Sequence, residues 1–508
     1  MLNSVSTRLL LGLAATLATV LYAIDSTIVN VALPNIQGTL QATPDQAGWV
    51  VTSYIVVGAI VTPLAGWLGV RYGLRTVLSL SILGFTAGSM ACGLAVTLTQ
   101  MVAFRMVQGA FGAALVPLSQ VALLREFPRE SHARVMALWG MGVMVGPVIG
   151  PTLGGWLTDQ MSWRWAFYIN LPLGALAWFA LMASMPKGGG DGKRSFDLLG
   201  FVLISIAIGC FQMMLDRGES LDWFAAPEIV AEAFFGAVAF YMFMVHALTG
   251  RQPFIDIHLF KDRNFSVSMV IMFVIGLAVL SPAVLVPGFL EQIKGYTPTQ
   301  AGWLMAARGL SSVVAMLLGA RLSSRIGARL TMSIGVLLAS GSLFLMGQFS
   351  VDTQSDRFLV ASVLQGLGSP LTFLPLSLAA YATLRDSART EAGVLLTLIR
   401  NFGASVGISI VIALLARSAQ YNSASLVEHF TAYDLRRWLA LGSTPGVNAS
   451  TIGILGEIRR QSTAIAYAND FMRLGLATLM TLPLVWLLRA PRQHTPIAAS
   501  VRAAASDH

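Results

Sequence analysis

Charge is scarce in this chain. Asp, Glu, Lys and Arg make up 11% of its 508 residues, where a soluble domain carries about 25%. So little charge cannot solvate a globular surface. Cysteine is scarcer still: Cys92 and Cys210 are the two, both inside apolar runs. Neither a disulfide framework nor a metal-ligand spacing follows from them. The six histidines form no H-E-x-x-H pattern. No Walker A loop is present, so ATP hydrolysis on this chain is not expected. The alternating segments of a transmembrane barrel, about 10 residues each, are absent as well. The sequence therefore offers no catalytic residue, no metal site and no cofactor site.

Long apolar runs fill the chain instead, and 55% of its residues are hydrophobic. A run of about 20 helical residues crosses a bilayer core of roughly 30 Å. Fourteen such runs are expected, over 9–33, 47–68, 76–97, 100–124, 135–158, 166–185, 198–215, 228–248, 266–289, 302–320, 331–349, 357–383, 392–416 and 471–489. The fold class is an all-α polytopic membrane protein. The first run is too long for a signal-peptide core, and NIQGTLQATPDQ after it is no small-residue cleavage site, so it reads as a retained span. Arg and Lys gather in alternate loops: Arg71 and Arg75; Arg125, Arg129 and Arg134; Lys187, Lys193 and Arg194; Arg251, Lys261 and Arg263; Arg321, Arg325 and Arg329; Arg385 and Arg389. The positive-inside rule makes these loops cytoplasmic and puts both termini inside. The net charge of +9 is then a matter of topology, and no nucleic-acid partner is expected.

The sequence repeats. Gly66-Trp-Leu-Gly-Val-Arg71-Tyr-Gly73-Leu-Arg75 is echoed by Ala320-Arg-Leu-Ser-Ser-Arg325-Ile-Gly327-Ala-Arg329. Gln108-Gly109 followed by Pro117-Leu-Ser is echoed by Gln365-Gly366 followed by Pro375-Leu-Ser. Parallel six-span repeats mark a two-halved transporter with its site between the halves. The expected division is a first half over 1–185, a two-helix insert with flanking loops over 186–265, a second half over 266–490 with a long outer loop at 417–470, and a tail over 491–508.

Asp25 stands inside the first span. A carboxylate there costs about 2.5–3.5 kcal/mol on insertion scales, so it calls for a partner or a function. Arg105 and Gln108, three residues apart on one helix face, lie at a depth that allows a pair with it. The pair reads either as a structural ion pair or as a proton site. Thr27 and Asn30 are expected to support it. In the fifth span Gly142, Gly146, Gly150 and Gly154 fall every fourth residue, with Gly155, Pro147 and Pro151 among them. Such a small-residue face lets another helix approach closely, and it is expected to seal the two halves as they rock. Arg308 and Arg400 are intramembrane cations, which read as helix locks or substrate contacts. Trp49, Tyr54, Trp139, Met141, Met144, Tyr168 and Phe373 are candidates for a drug-facing lining.

At these residues the chain resembles the major facilitator superfamily, specifically the fourteen-span drug:proton antiporters of the EmrB/QacA type. Asp25-Ser-Thr-Ile-Val-Asn-Val-Ala-Leu-Pro34 resembles the family's first-span motif, and Phe104-Arg105-Met-Val-Gln108-Gly109 the motif assigned to proton coupling. Gly146-x-x-x-Gly150-Pro151-x-x-Gly154-Gly155, followed by Phe167-Tyr-Ile-Asn170-Leu-Pro172, resembles the antiporter motif. Gly66, Arg71, Gly73 and Arg75, with Arg325 and Arg329, resemble the cytoplasmic gate, although Val70 and Ser324 stand where the wider superfamily usually has an acid. Met214-Leu-Asp216-Arg217-Gly218 and Leu221-Asp222-Trp223-Phe224 resemble the EmrB branch. The resemblance implies two six-helix halves plus two inserted helices in a bacterial inner membrane. It implies export of amphipathic small molecules in exchange for protons, driven by the proton gradient alone. It also implies a periplasmic membrane-fusion adaptor and an outer-membrane channel as partners. Export of one endogenous metabolite, siderophore or fatty acid on the same fold stays open, as does a non-transporting scaffold or sensor.

Overall fold

The computed structural model describes residues 5–186, 196–250, 254–255, 257–385, 388–428 and 447–489. The described residues contain no strand. The first half comprises α1 (Val5–Thr39), α2 (Pro44–Tyr72), α3 (Leu74–Leu94), α4 (Leu98–Gly112), α5 (Leu115–Glu126), α6 (His132–Gln160), α7 (Trp165–Tyr168) and α8 (Asn170–Ser184). The insert is α9 (Leu198–Arg217) and α10 (Pro227–Thr249). The second half comprises α11 (Arg263–Gly288), α12 (Pro298–Ile326), α13 (Ala328–Met346), α14 (Ser355–Ala382), α15 (Arg389–Glu428), α16 (Val447–Leu479) and α17 (Leu482–Leu487). Among the described residues, 13 helical stretches are long and apolar enough to span a membrane. The remaining expected run, 135–158, lies within α6, which has 29 residues.

The repeat reappears as geometry. Thr43 caps α2 by accepting from the Gln46 amide at 3.4 Å, while Gln46 Oε1 accepts from the Thr43 amide at 3.1 Å. Thr297 and Gln300 cap α12 in the same way at 3.3 and 3.0 Å. Both are capping boxes with Pro at the first helical position. Gly73 and Gly327 join α2 to α3 and α12 to α13 at φ of 86° and 89°, a region open to glycine and costly to other residues. Arg75 Nη2 donates to the Met182 carbonyl at 2.9 Å, and Arg329 Nε to the Leu488 carbonyl at 2.7 Å. Each arginine thus caps the carbonyl end of the last helix of its own half.

The two halves share a core at one end only, the end that carries Arg71, Arg125 and Arg325. There Val116 and Leu123 of α5, Met136 and Trp139 of α6, Met316 of α12, Phe373 and Leu376 of α14, and Ala392 and Leu395 of α15 form one buried cluster. Gly66 of α2 belongs to the same closure: a Cβ on it would lie 2.9 Å from Val394 Cγ2. At the opposite end each half keeps its own core. Ile28, Ile36, Met101 and Phe167 belong to the first, and Phe289, Phe358, Tyr467 and Phe471 to the second. The two halves are thus closed together at the basic end.

The insert packs across the seam between the halves. Asp216 of α9 accepts from Thr52 of α2. Gln212 Nε2 donates to Ser405 Oγ of α15 at 2.6 Å, and Ser409 Oγ of α15 to the Leu215 carbonyl at 2.5 Å.

One expectation needs correction. Residues 417–428 and 447–470, expected within an outer loop, are helical and continue α15 and α16. The 40 residues of α15 extend about 60 Å, twice the hydrocarbon thickness of roughly 30 Å. Falling hydropathy marks where a helix leaves lipid, not where its hydrogen-bond ladder stops. The tail over 491–508 and the loop arginines Arg194 and Arg251 lie outside the described residues.

Candidate functional site

Asp25 lies on α1 and is wholly buried, with a relative exposure of 0%. Its Oδ2 accepts from Arg105 Nη1 of α4 at 2.7 Å. Its Oδ1 accepts from Gln108 Nε2 at 2.8 Å and from Asn170 Nδ2 of α8 at 3.0 Å. The pair is therefore direct, with no gap for a bridging water.

Arg105 is held in turn by other groups. Nη1 also donates to Gln108 Oε1 at 2.8 Å, and Nε donates to the Val50 carbonyl of α2 at 3.1 Å. Its guanidinium carbon lies 4.0 Å from the Tyr54 ring centroid, a cation–π contact strengthened by desolvation. Asn170 Nδ2 is shared with Ser89 Oγ of α3 at 2.9 Å. Five helices of the first half thus converge on one carboxylate. A buried ion pair is tolerable only when its remaining lone pairs and protons are satisfied, and here they nearly are. The exception is Asn170 Oδ1, which is buried and has no partner.

The glycine face holds α1 in place. A Cβ at Gly142 would lie 2.6 Å from Thr16 Cγ2, and one at Gly154 would lie 2.7 Å from Ile28 Cγ1. At Gly146 it would overlap the Ala23 backbone, and at Gly150 the Thr27 hydroxyl. This face, expected to seal the halves, instead seats α6 against α1 within the first half. The small side chains admit the nearest backbone, and that backbone belongs to the helix carrying Asp25. Gly155 is different: the nearest atom to its Cβ would be Val31 Cγ1 at 3.8 Å, an ordinary contact. The Pro147, Pro151 and Met144 side chains lie outside the described residues.

Two expected supports of Asp25 stand elsewhere. Thr27 donates to the Gly146 carbonyl at 3.0 Å and ties α1 to α6. Asn30 is exposed and reaches only the Ser26 carbonyl at 3.5 Å. At about 100° per residue, positions two and five beyond Asp25 point well away from it. Asn170 was named in the sequence only within the antiporter-motif resemblance and not as a partner of Asp25, and Ser89, which accepts from it, was not named. A lone amide in an apolar span was the available signal.

The gate residues are placed as follows. Gly66 meets Val394 across the halves. Arg71 stacks over Trp67 at 5.2 Å, and Arg325 is exposed. Arg75 and Arg329 bind carbonyls inside their own halves, as given above. Of the expected lining, Tyr54 stacks on Tyr22 of the first half at 6.0 Å between ring centroids, and Trp139 stacks on Phe373 across the halves at 6.5 Å. Met141 packs against the shared core. Tyr168 is held on the Gly93 carbonyl at 2.9 Å, and Trp49 lies under Arg217 of the insert at 5.4 Å.

The second half repeats the scaffold without the acid. The spacing that relates Gly73 to Gly327 relates Tyr54 to Arg308 and Asp25 to Val279. Arg308 Nη2 donates to the Val279 carbonyl at 2.7 Å, and Gln365 Nε2 to the Ala278 carbonyl at 3.0 Å. Pro282, four residues beyond Ala278, has no amide hydrogen, so it frees that carbonyl from the helix ladder. Backbone oxygens therefore occupy the place that a carboxylate fills in the first half.

Comparison with known proteins agrees with this architecture. The Major Facilitator Superfamily signature matches residues 15–290 and 265–428. Fatty acid resistance protein FarB of Neisseria gonorrhoeae is 33% identical over 480 residues, covering 94% of this chain and 95% of that protein. Multidrug export protein EmrB of Escherichia coli K12 is 31% identical over 490 residues, covering 95% of each. Among solved structures, the proton:xylose symporter XylE superposes with a TM-score of 0.62 at 13% identity, over 95% of this chain and 96% of that one. The human organic anion transporter MFSD10 superposes with a TM-score of 0.60 at 13% identity, over 94% of this chain and 99% of that one. Shared fold, shared motifs and near-complete coverage lead to one assignment: the chain belongs to the major facilitator superfamily, within its EmrB-type efflux transporters.

Proposed function

We propose that this transporter exports amphipathic compounds in exchange for protons, with Asp25 as the proton-carrying group and Arg105 as the group that senses its charge. The observation that carries this reading is the buried cluster of Asp25, Arg105, Gln108 and Asn170 in the middle of the first half. As a carboxylate, Asp25 gives Arg105 its counter-charge. A proton on Asp25 removes that charge and turns one accepting oxygen into a donor. Arg105 must then find other acceptors, and Gln108 and Asn170 must turn with it. The cluster thus has two arrangements, one per protonation state, and a two-state element of this kind can bias alternating access. A proton moving down the membrane potential releases about 2.3 kcal/mol per 100 mV, enough to support uphill export.

On this reading the basic end faces the cytoplasm, both termini are inside, and the state described here is closed to the cytoplasm. The membrane is the bacterial inner membrane. The partners implied by the EmrB-type resemblance, a periplasmic adaptor and an outer-membrane channel, belong to the proposal. The names of the relatives, multidrug export and fatty acid resistance, support an amphipathic substrate.

The test is flux of two amphipathic dyes, one anionic and one cationic, in proteoliposomes under an imposed pH gradient, wild type beside Asp25→Asn. Gradient-driven flux in the wild type, lost in an equally folded variant, is the expected result. Equal flux in both would make the cluster structural and overturn the coupling role.

A further inference from the structure

Arg400 is a mid-span cation with no acceptor. It lies 11 residues beyond Arg389, the first residue of α15, so it is about 16 Å along the helix. Among the described residues, no carboxylate comes within ion-pair distance of it. Its guanidinium carbon lies 5.7 Å from the centroid of the Phe373 ring. The contrast with the other interior arginines is plain. Arg105 has Asp25, Arg308 has the Val279 carbonyl, and Arg75 and Arg329 have carbonyls of their own. A guanidinium left without an acceptor at that depth is costly.

Its surroundings suit a ligand. Phe373, beside Arg400, belongs to the second half and stacks on Trp139 of the first, so both halves contribute aromatic wall. Arg400 itself is only half-buried. It sits just beyond the core that closes the basic end, where Leu395 and Leu396 are its α15 neighbours. The charges sum in one direction: Asp25 and Arg105 cancel, while Arg308 and Arg400 face no acid among the described residues, so the interior is net positive.

We infer that Arg400 anchors the acid group of an anionic amphiphile, with the Phe373 and Trp139 rings holding the apolar body. The inference rests on the efflux reading above and adds to it the sign of the substrate's charge. Guanidinium presents a planar fork that matches a carboxylate or sulfonate. A lipophilic cation placed there meets repulsion instead. The anion supplies in the loaded carrier the counter-charge that the protein withholds.

The experiment is calorimetric titration of octanoate and octyltrimethylammonium into the purified full-length protein in a non-ionic detergent. Wild type, Arg400→Gln, Arg400→Lys and Asp25→Asn are compared, each with its melting temperature. The expected result is an octanoate-to-octyltrimethylammonium affinity ratio that falls on the order of tenfold or more in Arg400→Gln, the usual worth of a hydrogen bond to a charged group. Arg400→Lys recovers part of it. The melting temperature of Arg400→Gln holds or rises, since a charge without an acceptor is removed. An unchanged ratio, or equal loss of both ligands, overturns the anchor. Failure of proton coupling would show separately, as gradient-independent flux in proteoliposomes with the Arg400 ratio intact.

Discussion

At the scale of single residues, Asp25 and Arg105 each exist inside the span only because of the other. Both are at most 1% exposed. Removing one partner of a buried pair strands the other charge, which costs about 3–5 kcal/mol. Arg105→Gln is therefore expected to lower stability by that amount, read as a fall in melting temperature in detergent. Asn170→Ala removes one donor to the carboxylate and one to Ser89. It is expected to cost about 1–3 kcal/mol and to alter the pH profile of transport, whereas a purely packing role would shift stability alone. Asp25 and Arg105 were legible in the sequence, since a charge among apolar residues stands out. Asn170 was not, because a single amide in a span is as often a helix-to-helix bond as a site, and nothing local says which residue it will meet.

At the scale of elements, the contact between α1 and α6 holds the site together, and the glycines set its distance. Gly146→Ala would put a methyl into the Ala23 backbone. A loss of about 1–3 kcal/mol is expected from such overpacking, together with reduced transport, because α1 carries Asp25. Gly155→Ala, with its nearest contact at 3.8 Å, is expected to change stability by no more than about 0.5 kcal/mol. Thermal melts of the two variants side by side check the pair. Gly73→Ala would force a side chain to φ near 86°, at a cost of about 1–3 kcal/mol. The glycine period was plain in the sequence. Its partner was not: lipid is as apolar as any helix face, so hydrophobicity alone does not select which helix fills the groove.

At the scale of the whole molecule, closure at the basic end joins the two halves through α2, α5, α6, α12, α14 and α15. Gly66 and Val394 meet across that seam, and a Cβ on Gly66 would stand 3.4 Å from Val394 Cβ, close to the spacing of a disulfide. The double variant Gly66→Cys, Val394→Cys is expected to cross-link on oxidation and stop flux. Reduction is expected to restore it. Of the native cysteines Cys92 is buried and Cys210 half-buried, and either single variant serves as the control for their oxidation. Flux that persists in the cross-linked protein would mean the seam does not open during transport.

The all-α membrane class and the repeated Arg-x-Gly-x-Arg were legible in composition and pattern. Apolar length, positive loops and Arg-x-Gly-x-Arg are local properties, and the bilayer reads them locally. Only the tertiary structure decided that Gln108 and Asn170, rather than Thr27 and Asn30, bond to Asp25. It also decided that α6 turns its glycines to α1, that backbone carbonyls replace the acid in the second half, and that Arg400 is left without an acceptor. These choices depend on which faces meet once every helix is packed. A sequence states the face each residue occupies, but the neighbour across that face is set by the joint packing of all the elements.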